Sequence, residues 1–202
     1  MVFQLNRRRL LGLGAAAVSC MAVDNAFAAT RLPLLRPDRQ AAASQPHARM
    51  SARELDLINT HTDERLKIVY WANGGYEPEA LAEIDRLMRD HRSGDVHAID
   101  PALLDTLHTL TRKLDTNEAF HIISGYRSPA TNSQMRESNA GVAKKSYHMR
   151  GMAVDIRVPG RELSYIRKAA LDIGTGGVGY YPRSDFIHVD VGPVRQWGMR
   201  NA

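Results

Sequence analysis

Two short segments constrain this chain more than anything else in it: SYHMRGMAVD, Ser146 to Asp155, and FIHVD, Phe186 to Asp190. Between them they supply two imidazoles and a carboxylate, on His148, Asp155 and His188. A mixed nitrogen and oxygen set of three is what a catalytic zinc uses when it keeps a fourth position open for water. The segments also dictate geometry. MAVDIRV alternates like a strand and holds Asp155 on a rigid element, while Gly151 lets the chain turn so that His148 sits on the loop before it. GGVGYY and DFIHVDV are two apolar runs joined by Pro182-Arg183-Ser184, which predicts a hairpin. Along the second run Phe186, His188 and Asp190 share one face, opposite Ile187, Val189 and Val191. One sheet face is therefore polar where packing alone would demand apolar residues, and a zinc hydrolase is the expectation.

The rest of the sequence reads as the frame for those segments. ELDLINTH and RLKIVYW alternate apolar and polar residues around Thr62-Asp63-Glu64 and predict a β-hairpin. Glu79 to His91 places Ala80, Leu81, Ile84, Leu87 and Met88 on one helical stripe. A second helix opens with Asp100 as N-cap and Pro101 at its first position, and runs Leu103, Leu104, Leu107, Leu110 and Leu114 along one face. His91, His97 and His108, in or beside these helices, read as surface or packing residues. FHIISGYRS predicts a buried strand, Phe120 to Ile123, broken at Ser124-Gly125 into a loop presenting Tyr126 and Arg127. A short helix follows over Thr131 to Glu137, then a basic loop from Asn139 to Lys145.

With 202 residues, one domain is expected. The N-terminus is read as an address: NRRRLLGLG supplies a paired-arginine start, Leu10 to Val23 a short apolar run, and Ala26-Phe27-Ala28 a small-x-small cleavage site. A twin-arginine-type signal over 1–28, a linker or arm over 29–52 and a domain over 53–202 are the expected divisions, with the periplasm as destination. The apolar run is too short to span a bilayer, so no transmembrane segment is expected in the mature chain. The sole cysteine, Cys20, falls in that leader, which excludes disulfides, cysteine zinc ligands and a thiol nucleophile from the mature protein. The leader holds Arg7, Arg8, Arg9 and Asp24, so of the +5 formal charge only +3 belongs to the remainder. That mild excess suits an acidic peptide and falls short of a nucleic-acid footprint.

HMRGMAVD matches an H-x-x-G-x-A-x-D signature, SGYRS a substrate-arginine loop and FIHVD a closing histidine strand. In these three pieces, and in GVAKKSYH and GGVGYYPRS, the chain resembles the zinc D-Ala-D-Ala and L-alanoyl-D-glutamate peptidase superfamily, with the hedgehog/DD-peptidase fold, and within it the YcbK/MepK-like murein endopeptidases of Gram-negative bacteria. The resemblance runs from about Leu55 to Trp197. It implies an α+β domain with helices packed on a small antiparallel sheet, one zinc per chain on His148, Asp155 and His188, and peptidoglycan peptide bridges as substrate, cut by a monomer. Regulatory cell-wall proteins are potential partners. Arg127 would bind a substrate carboxylate or the developing oxyanion. Ser146 would hydrogen-bond within the site, Tyr180 or Tyr181 would wall the cleft, and Lys144 and Lys145 would attract an anionic stem. For proton transfer there are two candidates. Asp185, three before His188, stands where related peptidases often carry an acid; Asp190 shares a face with His188, which also suits it to orienting that ligand. A murein DD- or LD-carboxypeptidase and a non-catalytic, zinc-stabilised binding module remain as alternatives.

Overall fold

The computed structural model describes residues 52–139 and 141–198; the expected signal and nearly all of the expected arm lie outside them. Strand β1, Arg53–Asn59, opens on the residue where the domain was expected to begin, and pairs antiparallel with β2, Arg65–Ala72, as the predicted hairpin. A two-residue strand β3, Gly75–Tyr76, adds to the far side of β2. Helix α1, Pro78–Leu87, is shorter than the apolar stripe predicted, because the chain leaves the helix at Met88. Helix α2, Pro101–Leu114, opens as read: the Asp100 carboxylate accepts from the Ala102 N–H and Pro101 needs no donor partner. Asp115, in the left-handed region, ends it.

Next come β4, Phe120–Ser124, and α3, Pro129–Ser138, whose Ser128 cap accepts from the Thr131 N–H. A single 3₁₀ turn, Tyr147–Arg150, leads into β5, Ala153–Arg157. Helix α4, Leu163–Ile173, was not anticipated, although Ile166, Ala169 and Ala170 form its buried stripe. The hairpin β6, Gly177–Tyr181, and β7, Phe186–Asp190, is as predicted, and a short β8, Arg195–Trp197, follows it.

All eight strands join one sheet in the order β3-β2-β1-β4-β5-β7-β6-β8. The α+β class is as expected, while the sheet is larger than a small antiparallel one and is mixed: β1 pairs parallel with β4, and β6 with β8. The reason is connectivity. Two helices separate β1 and β2 from β4, room enough for the crossover that a parallel neighbour needs.

Leu55, Leu57, Phe120, Ile122, Val154, Ile156, Val178, Ile187 and Val189 alternate along their strands onto one sheet face. There they pack with Ile84, Leu103, Leu107, Leu110 and Ile166 of the helices in a single core. Strand period then forces His121, Asp155, Phe186, His188 and Tyr181 onto the other face. No helix among the described residues is long and apolar enough to cross a membrane.

Candidate metal centre

Asp155 and His188 are direct cross-strand partners on β5 and β7. Opposite residues on one face of an antiparallel pair stand about 5 Å apart at Cβ, so pairing alone brings carboxylate and imidazole together. His148 enters from the 3₁₀ turn. Its placement depends on Gly151, whose φ of +65° closes the turn and whose missing Cβ leaves room for the Ala98 carbonyl. The outcome is a triangle of donor atoms: His188 Nδ1 lies 2.9 Å from Asp155 Oδ1, His148 Nε2 3.1 Å from His188 Nδ1, and His148 Nε2 3.3 Å from Asp155 Oδ1. Neighbouring ligands around a tetrahedral zinc with bonds of about 2.0–2.1 Å are separated by roughly 3.3 Å, so the donor set and its spacing fit that ion. All three side chains are buried, and they form the one such group of three among the described residues.

The outward ring nitrogens are engaged as well. His148 Nδ1 lies 2.7 Å from the Gly125 carbonyl, and a carbonyl only accepts, so this nitrogen carries the proton and Nε2 presents its lone pair to the triangle. His188 Nε2 lies 2.9 Å from Asp190 Oδ2. Asp190 is buried beside His188 on the same strand face, where desolvation opposes its charge. Hydrogen bonds from His188, Arg195 and the backbone N–H groups of Gly192 and Gly177 outweigh that and hold its carboxyl far below the usual range. Asp155 behaves likewise, its desolvation overcome by His148 and His188. Burial pushes the His188 imidazole towards neutrality, but Asp155 and Asp190 win and leave its pKa above the ordinary histidine value.

His148, Asp155 and His188 lie in a cleft of about 770 Å³ lined also by Arg127, Ser146, Tyr147, Tyr181 and Trp197. Arg127 is only 7% exposed. An irregularity in the β4–β5 pairing at the end of β4 turns the chain towards the cleft, and the Arg127 N–H donates to the His148 carbonyl. Its guanidinium is loosely held, with 3.4 Å contacts to Asn132 Oδ1 and Ser124 Oγ, 3.8 Å to Asp155 Oδ2, and no partner for Nε. Burial lowers its pKa while Asp155 raises it; arginine stays cationic at neutral pH regardless. Ser146 caps the 3₁₀ turn by accepting from the His148 N–H and lines the cleft, as does Lys145.

Three of the expected site residues, Asp185, Asp190 and Tyr180, do not line the cleft. Asp185, read as the general base, sits in the β6–β7 connection at φ +53°, with a side chain 67% exposed whose carboxylate accepts from Arg157 Nη1 at 3.4 Å; it lines a separate pocket beside His121 and Arg157. Asp190, the alternative base, stands behind His188 with both oxygens occupied and does not line the cleft. Its geometry is that of an orienting partner. Tyr180 is displaced too: β6 alternates so that Tyr181 stacks on Phe186 at 4.6 Å in the cleft wall, while Tyr180 packs against the core under Arg167. Of the other histidines, His91 stacks on His61, His97 on Tyr126 and His108 against Tyr70, and none joins the triangle. The sequence reading missed His61, Arg92, Arg195 and Trp197 among the cleft residues. Nothing in a linear pattern marks them, since they come from turns and from the last short strand.

Comparison with known proteins follows the geometry. A family model described as Peptidoglycan L,D-endopeptidase MepK matches residues 47–197. The chain is 43% identical to the Peptidoglycan L,D-endopeptidase MepK of Escherichia coli strain K12 over 96% of its own length and 98% of the relative's. It is 38% identical to the Probable peptidoglycan L,D-endopeptidase MepK of Haemophilus influenzae over 95% of each. A solved Serratia marcescens L-Ala D-Glu endopeptidase, ChiX, aligns over 47% of this chain and 68% of its own with a TM-score of 0.33 and 20% identity, and nothing here rests on that partial likeness. With three quarters of its length under the family model and near full-length relatives at this identity, the chain belongs to the Peptidoglycan L,D-endopeptidase MepK family.

Proposed function

We propose that this chain is a zinc-dependent peptidoglycan L,D-endopeptidase that hydrolyses peptide cross-bridges of murein in the periplasm, delivered there by the twin-arginine-type leader. The observation that carries the reading is the buried donor triangle of His148 Nε2, His188 Nδ1 and Asp155 Oδ1 within a cleft, each imidazole fixed by an acceptor behind it. The L,D-endopeptidase activity for which the 43% identical Escherichia coli relative is named supports the choice of bond.

Zinc held by the three residues supplies Lewis acidity and a water that ionises near neutral pH. The protein's own contribution is orientation and charge. The Gly125 carbonyl and the Asp190 carboxylate hold the two rings so that their lone pairs converge. Arg127, buried and with donors to spare, is placed to bind a substrate carboxylate or the oxyanion that develops as the peptide carbonyl is attacked. Ser146 keeps the His148 turn in place, and Tyr181 with Phe186 walls the cleft. Arg92 and Lys145 line it as further cations, which suits peptide stems rich in carboxylates.

The test is mass spectrometry of purified L,D-cross-linked muropeptides digested with the zinc-loaded protein. Cleavage of the cross-link, abolished by chelation and by His148→Ala or Asp155→Ala, is the expected result. Release of terminal residues alone would make the chain a carboxypeptidase. Zinc and muropeptide binding with no product after prolonged digestion would make it a binding module.

A further inference from the structure

Strand β6 carries glycine at two alternate positions, Gly177 and Gly179, which leaves the cleft face of that strand without side chains before Tyr181. The neighbouring β8 fills the gap. Arg195 and Trp197 stand in parallel register with Gly177 and Gly179, and their side chains lie across the bare backbone. A Cβ at Gly177 would meet the Arg195 guanidinium and come within 2.6 Å of Asp190 Oδ2; one at Gly179 would come within 2.7 Å of the Trp197 ring. The trough and its two occupants fit each other.

Both occupants converge on one metal-ligand candidate. Arg195 grips Asp190 with a fork, Nη2 to Oδ2 at 2.6 Å and Nη1 to Oδ1 at 3.0 Å, and Nη1 also donates to the Pro193 carbonyl at 2.9 Å. The guanidinium is held further over the Tyr147 ring at 5.0 Å and the Trp197 ring at 4.9 Å. With the Gly177 and Gly192 N–H groups on Oδ1, the carboxylate has a single orientation, and Oδ2 faces His188 Nε2. A carboxylate in that position accepts only, so Nε2 carries a proton towards Asp190 and Nδ1 is the ring nitrogen turned to the triangle. Trp197 packs on the same imidazole, ring centroids 5.1 Å apart, and is itself tethered by its indole N–H to the Tyr181 hydroxyl at 2.8 Å.

We propose that Arg195 and Trp197 are positioning residues for His188, one acting through Asp190 and the other on the ring face, so that the metal affinity of the triangle depends on β8. The inference rests on the zinc reading above. A planar fork matters here because a single ammonium cannot engage both carboxylate oxygens in fixed directions.

The experiment measures zinc affinity of the full chain by competition with a chromophoric chelator, together with the visible spectrum of the cobalt-substituted protein and the melting temperature of the metal-free protein. Arg195→Gln should weaken zinc binding about 10- to 100-fold, the range found when partners of metal-bound histidines are removed, and should alter the cobalt spectrum. Arg195→Lys should recover part of the affinity, and Gly179→Ala, which displaces Trp197, should weaken binding with Arg195 untouched. Should Arg195→Gln fail to fold, Arg195→Lys and Gly179→Ala carry the test. Wild-type affinity and an unchanged cobalt spectrum in the folded variants would overturn the positioning role. A wild-type chain that binds no zinc at all would overturn the metal reading itself, and the two failures are told apart by that first measurement.

Discussion

Asp90 shows how a residue remote from the chemistry governs the site. It is 1% exposed, and its carboxylate accepts from the backbone N–H of Ser128 and of Arg92, tying the segment after α1 to the one that carries Arg127. Burial opposes its charge, yet Thr131, Ser128 and Arg92 outweigh it and bring the pKa down to about 2 from the ordinary 3.8. A depressed carboxyl contributes stability that is present above its unfolded pKa and lost as pH falls through the folded one. The window is thus from about pH 4 down to about 2, with an effect of about 2 kcal/mol. In acid titrations followed by circular dichroism, Asp90→Asn should be less stable than wild type at pH 7 and should lose the wild type's extra acid sensitivity in that window. For Arg127→Ala, kcat/KM on the cross-linked substrate should fall by about 10²- to 10³-fold while one zinc per chain remains bound, as expected of the proposed role in stabilising charge on the substrate side; loss of zinc in that variant would recast Arg127 as part of the metal's support. At this scale the sequence was informative where strand alternation broke. His188 interrupts an apolar strand and Asp155 sits where a buried strand wants a hydrophobe, so both announced themselves. The outward position of Asp185 was not legible because an offset of three residues says nothing of which way a left-handed turn aims a side chain, and Tyr180 and Tyr181 differ only in strand parity, which a one-residue uncertainty in register reverses.

At the scale of elements, α2 is the rod against which the sheet is laid. Its N-cap and leucine spacing made its start and buried face legible, and Leu107 is wholly buried. Leu107→Ala should cost about 2–5 kcal/mol in urea unfolding, the range for a leucine removed from a packed core, with zinc stoichiometry unchanged, because the metal-side face of the sheet does not touch that residue's core. Helix α4 was equally patterned but went unread beside the motifs that flank it. β3 and β8 are too short for any period to show. The pairing order was the least accessible feature: β1 next to β4 joins segments separated by two helices, and no local signal states which edge of a hairpin a later strand will choose.

Helices α1, α2 and α4 pack on one face of the sheet and the candidate site occupies the other, so core stability and the site rest on different side-chain sets. Ligand binding to the folded state alone stabilises it by RT ln(1 + [L]/Kd), about 2.7 kcal/mol at a hundredfold excess over Kd. Zinc should accordingly raise the melting temperature of the wild type by several degrees and leave Asp155→Ala unmoved, as calorimetry of the two would register.

Asp155 and His188 face each other across a backbone ladder, and the distance between them is set by hydrogen bonds that exist whether or not an ion is there. A centre built in this way can empty and refill without the chain coming apart. On the proposed zinc-dependent reading, the fraction of enzyme able to cut would follow the supply of free zinc reversibly, making wall cleavage answerable to metal availability.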